Sequence, residues 1–98
     1  MNRQDAIDVL RQHESDLRAR GVLHATLFGS VARGEANPKS DLDILIEFSP
    51  NLKIDAFEYA GLKLYIAELF AGPVDVVNRE GLKPYLRRAV IADAVYAF

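Results

Sequence analysis

The stretch LFGSVARGEANPKSDLDILIEF, residues 27–48, decides the fold prediction. An apolar run ends at Gly29-Ser30, a polar loop follows, and a second apolar run opens with Asp41 and Asp43. Apolar and polar residues alternate through the second run, which is the period of a half-buried strand. The stretch therefore predicts a strand that ends at Phe28, one helical turn, a loop over Glu35–Ser40, and a second strand over 41–48.

Segments on either side of this stretch extend the pattern. Periodic apolar residues predict three further helices and one further strand. The helices lie over 2–20, ending at Gly21, over 55–71, ending at Gly72-Pro73, and around 82–90, and the further strand lies over 74–77. The first strand, which ends at Phe28, begins at Val22. The apolar tail, 94–98, is expected to dock as a strand or a helix end. Along the chain the elements are helix, strand, turn, strand, helix, strand, helix, which predicts one small α+β or α/β layer. The sequence does not determine the order of the strands in the sheet.

The paired acids are the first candidate site. Residues two apart in a strand point to the same side, so Asp41 and Asp43 project together while Leu42 and Ile44 enter the core. Two neighbouring carboxylates repel each other, and a hard divalent cation such as Mg²⁺ relieves that repulsion. If the strand carrying Asp75 lies beside them, three carboxylates meet on one sheet face. That is the ligand set of a two-metal phosphoryl-transfer site.

Gly29 and Ser30 are the second candidate site. A glycine directly after a strand lets backbone approach a ligand, and the N–H groups of a following helical turn attract phosphate. Taken singly, each feature has a plainer interpretation. Asp-x-Asp also occurs in turns and calcium loops, Gly-Ser is a common turn, and Asp75 could keep a strand edge soluble. Jointly they supply the parts that a nucleoside triphosphate with Mg²⁺ requires.

Composition excludes several functions. The 98 residues carry a net charge of −2, which gives no electrostatic case for direct nucleic-acid binding. There is no cysteine, so disulfides and cysteine metal sites are absent, and this suits a reducing cytosol. The sequence contains no run of membrane-spanning length and no apolar signal core. We expect a single cytoplasmic domain over residues 1–98 that has no membrane association.

Gly-Ser, ten intervening residues (Val31–Ser40) and Asp-x-Asp resemble the signature of the DNA polymerase beta-like nucleotidyltransferase superfamily. The fuller strings FGSVARG, from Phe28, and SDLDI, from Ser40, resemble its minimal nucleotidyltransferase branch, the MNT domains. The resemblance covers nearly the whole chain. It implies an α+β fold in which a small mixed sheet packs against helices, with 1–98 as a single minimal domain.

The resemblance also implies roles. Gly29 and Ser30 would hold the triphosphate of ATP, and Asp41 and Asp43 would bind two Mg²⁺ ions. Asp75 would bind the catalytic metal or deprotonate the acceptor hydroxyl. The acceptor would attack the α-phosphorus in line, and pyrophosphate would leave.

The branch is similar to antitoxins encoded beside HEPN-domain ribonuclease toxins, in which AMP is transferred to a toxin tyrosine. The resemblance therefore implies a HEPN-type toxin as partner and acceptor. The residues also allow a non-catalytic antitoxin that acts by complex formation, or nucleotidyl transfer to a small molecule such as an aminoglycoside. The surplus of apolar residues on helix 55–71 favours a partner or homodimer contact. Arg33 could contact phosphate, or it could pair with Asp41 or Glu47 to orient the loop.

Overall fold

The computed structural model describes residues 2–35 and 41–98 of the chain. The predicted loop over Glu35–Ser40 falls almost wholly outside these ranges, as does Ser40 of the motif. The structure contains helices α1 (Arg3–Gln12), α2 (Glu14–Ala19), α3 (Gly29–Ala32), α4 (Ala56–Glu68) and α5 (Pro84–Asp93), and strands β1 (Val22–Phe28), β2 (Leu42–Phe48), β3 (Val74–Asn78) and β4 (Val95–Tyr96). A 3₁₀ turn, Arg79–Gly81, links β3 to α5.

The four strands form one mixed sheet in the order β3-β2-β1-β4. β1 is antiparallel to both β2 and β4, whereas β2 and β3 are parallel. A parallel pair requires a crossover, and α4 supplies it. This arrangement confirms the predicted α+β fold with a small mixed sheet, and the tail docks as strand β4.

The hydrophobic core lies on one face of the sheet. Ala25, Leu27, Ile44 and Ile46 are fully buried there, with Val76 nearly so. Helices α1, α2 and α4 cover that face with apolar side chains, namely Ala6, Ile7, Leu10, Leu17, Leu62 and Ile66. Since side chains alternate along a strand, the opposite face carries Thr26, Asp43, Leu45 and Asp75. The acids of the sequence motif thus stand on the face that these helices leave open.

The helix predicted over 2–20 is broken at His13. Its ring Nδ1 lies 2.9 Å from the carbonyl oxygen of Val9, and its backbone N–H donates to Leu10. A side chain that bonds the carbonyl four residues back competes with the regular helical hydrogen bond. The chain restarts as α2, with Leu17 N–H donating to the His13 carbonyl.

Helix α4 is shorter than predicted, ending at Glu68 instead of reaching Gly72-Pro73. At its start the Asp55 carboxylate accepts a hydrogen bond from the Glu58 N–H over 2.7 Å. Leu62 and Ile66 are buried, while Phe57 is 90% and Leu64 65% exposed. Helix α4 thus has two apolar stripes: the one that contains Leu62 and Ile66 is core, and the one that contains Phe57 and Leu64 is surface. No helix within residues 2–35 and 41–98 is both long enough and apolar enough to cross a bilayer.

Candidate active site

The sheet register places two of the predicted acids side by side. Asp43 of β2 and Asp75 of β3 are directly paired positions in the parallel ladder, and Phe28 of β1 pairs with Asp43 on its other side. Paired positions on neighbouring strands point to the same face, and the strands are about 4.8 Å apart. The open sheet face thus carries an Asp43–Asp75 pair next to the end of β1.

The electrostatics of Asp43 reflect this crowding. Partial burial raises the pKa of the Asp43 carboxyl, and the negative charges of Asp75 and then Asp41 raise it further. Arg33 acts in the opposite direction but more weakly. The ionised form of Asp43 is therefore less favourable than that of an isolated carboxyl in water, and a bound cation would offset this difference.

Asp41 stands immediately before β2 and is exposed. It lies close enough to Asp43 to affect its pKa. Within residues 2–35 and 41–98, no three His, Cys, Asp or Glu side chains are already spaced as ligands of one metal ion. The structure therefore brings Asp43 and Asp75 together, with Asp41 nearby but not converged on the pair.

Gly29 is required by its surroundings. Its φ is +76°, and a Cβ built on it would overlap the carboxylate of Asp43. It begins α3, a single turn in which Ser30 is half-buried. The N–H groups of a first helical turn have no acceptor within the helix. The predicted phosphate-binding turn and the predicted metal ligand are consequently in contact, although they are 14 positions apart in the sequence.

Over residues 10–97 the chain matches the family model described as a nucleotidyltransferase domain. The chain belongs to this nucleotidyltransferase family. The sequence-based assignment of nucleotidyltransferase chemistry is thereby confirmed.

Named relatives agree with this membership. Protein adenylyltransferase MntA of Thermococcus cleftensis is 36% identical over 91 residues, which span 90% of this chain and 88% of that protein. MJ0128 of Methanocaldococcus jannaschii, provisionally named a protein adenylyltransferase, is 35% identical over 91% of both chains. A solved structure provisionally described as a minimal nucleotidyltransferase is 36% identical, with a TM-score of 0.75 over 97% of this chain and 95% of that chain.

A more distant solved structure, a toxin-antitoxin with AMP-PNP, shares the fold with this nucleotidyltransferase. Its TM-score is 0.71 at 21% identity, and the match covers all of this chain and 73% of that one. The minimal nucleotidyltransferase fold that the resemblance implied is therefore confirmed. The individual roles of Gly29, Ser30, Asp41, Asp43 and Asp75 remain predictions.

Arg33 connects the predicted phosphate-binding turn to the last helix. Its guanidinium donates to Glu35 over 3.0 Å and to Asp93 of α5 over 2.8 Å. These acids raise the pKa of Arg33 further above its ordinary value. The sequence suggested Asp41 or Glu47 as partners. Glu47 instead pairs with Arg79 at 3.0 Å, and no local pattern could have indicated the Arg33–Asp93 contact across 60 positions.

The largest of the described cavities does not contain the paired acids. It has a volume of about 390 Å³ and lies at the other end of β2, against Phe48, Ser49 and Tyr59. Its lining includes none of the predicted site residues.

Proposed function

We propose that this nucleotidyltransferase transfers AMP from ATP, with Mg²⁺, to a tyrosine hydroxyl of a HEPN-type toxin and thereby acts as its antitoxin. The observation that carries the proposal is the position of Asp43, which is paired with Asp75 and lies against the turn at Gly29. Relatives over 90% of the chain that are named protein adenylyltransferases support a protein acceptor.

The donor set fits Mg²⁺ in its chemistry. Asp43 and Asp75 offer carboxylate oxygens, which Mg²⁺ prefers together with phosphate oxygens. Burial, and after it the charges of Asp75 and Asp41, raises the pKa of the Asp43 carboxyl, and a bound cation would offset both effects. Asp41 would be the third ligand, and the resemblance implies two ions. When bound, Mg²⁺ would neutralise charge on the phosphate oxygens.

The protein groups then divide the work of the reaction. The backbone at Gly29 and Ser30, with the Ser30 hydroxyl, would hold the β- and γ-phosphates. The acceptor oxygen forms a bond to the α-phosphorus as the bond from that phosphorus to the β-phosphate oxygen breaks. Asp75 would accept the hydroxyl proton, and pyrophosphate would carry away the leaving electron pair.

The direct test is label transfer. The chain is incubated with the product of its neighbouring gene, Mg²⁺ and ATP labelled at the α-phosphate, and a parallel reaction uses γ-labelled ATP. We expect label on the partner only from α-labelled ATP, since adenylylation retains the α-phosphate and phosphorylation retains the γ-phosphate. Asp43→Asn should abolish transfer. Glu80→Gln, the matched change at an exposed acid outside the site, should retain it.

A second candidate is a binding module that neutralises the toxin by covering it. The exposure of Phe57 and Leu64 on α4 favours it, because both present apolar surface to solvent. The Asp41→Asn, Asp43→Asn double variant separates the two. Full neutralisation by this variant would support the binding module, and loss of neutralisation with an intact complex would support catalysis.

A further inference from the structure

A second, smaller cleft lies on the same face of the sheet as the paired acids. It has a volume of about 180 Å³. Thr26 of β1 and Leu45 of β2 line its base, and both are largely buried. Tyr96 of β4 forms one wall, and Ile91 and Ala94, at the end of α5, form another.

The cleft and the site share strand β2. Leu45 lies two positions after Asp43, so both side chains point to the same face, about 7 Å apart. Leu45 pairs with Thr26, which in turn pairs with Tyr96. A molecule bound at Asp43 therefore reaches the cleft by extending one step along the strand.

The direction of the reaction assigns an occupant to this cleft. Attacking and leaving oxygens lie in line at the transferred phosphorus. Gly29-Ser30 follows β1 on one side of Asp43, and Asp75 stands on the other side. Pyrophosphate and acceptor would thus lie across the strands, while the nucleoside extends along them. Toward the C-terminal end of β2, this direction leads from Asp43 to the cleft over Leu45.

The chemistry of the lining suits a nucleobase. Tyr96 is 60% exposed and offers an aromatic surface for stacking, opposite the apolar Ile91. At the far end the Glu47 carboxylate accepts from Arg79 at 3.0 Å, and Glu47 is only partly exposed. A carboxylate can also accept from an exocyclic amino group, which uracil lacks.

We propose that this cleft binds the nucleobase of the donor nucleotide, with Tyr96 stacked on the base and Glu47 selecting a base that carries an amino group. The inference rests on the proposed function, because it takes the triphosphate to lie at Gly29-Ser30. It adds a base-binding subsite, and with it a reason for ATP to be preferred over UTP.

Binding measurements by calorimetry test the subsite without requiring turnover. The ligands are Mg-ATP, Mg-UTP and Mg-tripolyphosphate, which has no base. Tyr96→Ala should weaken Mg-ATP binding about 5- to 100-fold and leave tripolyphosphate unchanged, as loss of one stacked base predicts. Tyr96→Phe should bind as the wild type does. Tyr85→Ala is the matched control, since Tyr85 is 71% exposed on α5 outside the cleft.

A second variant, at Glu47, tests whether the cleft distinguishes one base from another. Glu47→Gln should reduce the preference for ATP over UTP at least about fivefold, because an amide also donates to the uracil carbonyl. The inference is overturned if Tyr96→Ala binds ATP normally or weakens ATP and tripolyphosphate equally. If the wild type binds tripolyphosphate as tightly as ATP, the base-binding inference is wrong while the proposed function still stands. Failure of the wild type to bind either ligand would overturn the proposed function as well.

Discussion

Gly29 and Gly34 have the same backbone conformation in different surroundings. Both have φ +76°, yet a Cβ at Gly29 would overlap Asp43, whereas no atom of residues 2–35 and 41–98 lies within 4 Å of a Cβ at Gly34. Either alanine substitution should cost about 1–2 kcal/mol for the left-handed backbone. Gly29→Ala should cost more and should also abolish nucleotide binding, because Asp43 must move. Urea unfolding and Mg-ATP calorimetry measure the two effects. Equal behaviour of both variants would contradict the contact with Asp43.

Asp43 makes the stability of the chain depend on pH. Burial, Asp75 and Asp41 raise its pKa above the ordinary value of 3.8, so the folded chain holds the proton to higher pH than the unfolded chain does. Folding stability from this group is therefore complete below pH 3.8 and is lost as pH rises through the raised pKa.

Asp43→Asn, which removes that charge, should consequently stabilise the metal-free chain at pH 7. Because Asp43 is half-exposed, solvent screening limits the gain to about half a kcal/mol, which raises the melting temperature of a domain of this size by about 2–4 °C. The difference should shrink as pH falls toward 4. Glu80→Gln should show no such trend. A stabilisation that grows toward acid pH would mean that another group is responsible.

At the scale of elements, α4 presents two apolar stripes with opposite roles. Leu62 is 2% exposed and Leu64 is 65% exposed. Leu62→Ala should lower the free energy of unfolding by about 2–5 kcal/mol, because it leaves a cavity in the core. Leu64→Ser should change it by less than about 0.5 kcal/mol. Urea unfolding distinguishes the two, and a large cost at Leu64 would show that its stripe is packed within the monomer.

The exposed stripe should matter once a partner binds. Burial of a large apolar side chain is worth about 1.5–3 kcal/mol, so the Phe57→Ser, Leu64→Ser double variant should weaken the proposed complex with a toxin by more than about tenfold. Glu58→Ser, Lys63→Ser changes exposed residues of the same helix and should leave the affinity near that of the wild type. Calorimetric titration of the toxin measures both. Equal affinities would place the interface elsewhere.

The elements also show what a sequence can predict here. Val22–Phe28 was predicted residue for residue, because apolar side chains begin directly after Gly21 and stop at Gly29. The break at His13 was missed, since it depends on a ring hydrogen bond that periodicity does not reveal. The prediction that Asp43 lies beside Asp75 depended on the order of the strands, which local sequence patterns do not specify. The Arg33–Asp93 pair was invisible for the same reason, because only the docking of α5 brings its members together.

At the scale of the whole molecule, the sheet separates stability from chemistry. One face is covered by α1, α2 and α4, and the other carries like charges that cost folding free energy, which the proposed cation and nucleotide would offset. Ligand binding should therefore have a large effect on so small a domain. A ligand at 100 times its dissociation constant adds about 2.7 kcal/mol to the free energy of unfolding.

For a domain of this length, that free energy corresponds to a rise in melting temperature of about 10–20 °C. We expect this shift with ATP and Mg²⁺ together, and little shift with ATP in the presence of a chelator, because phosphate and carboxylates then repel. Asp41→Asn, Asp43→Asn should lose the shift while keeping a stable apo fold, since both substitutions remove charge from the open face only. Thermal melts with and without metal test this. An equal rise with chelator present would show that the nucleotide binds without the carboxylates, and the metal-dependent account of the site would then be wrong.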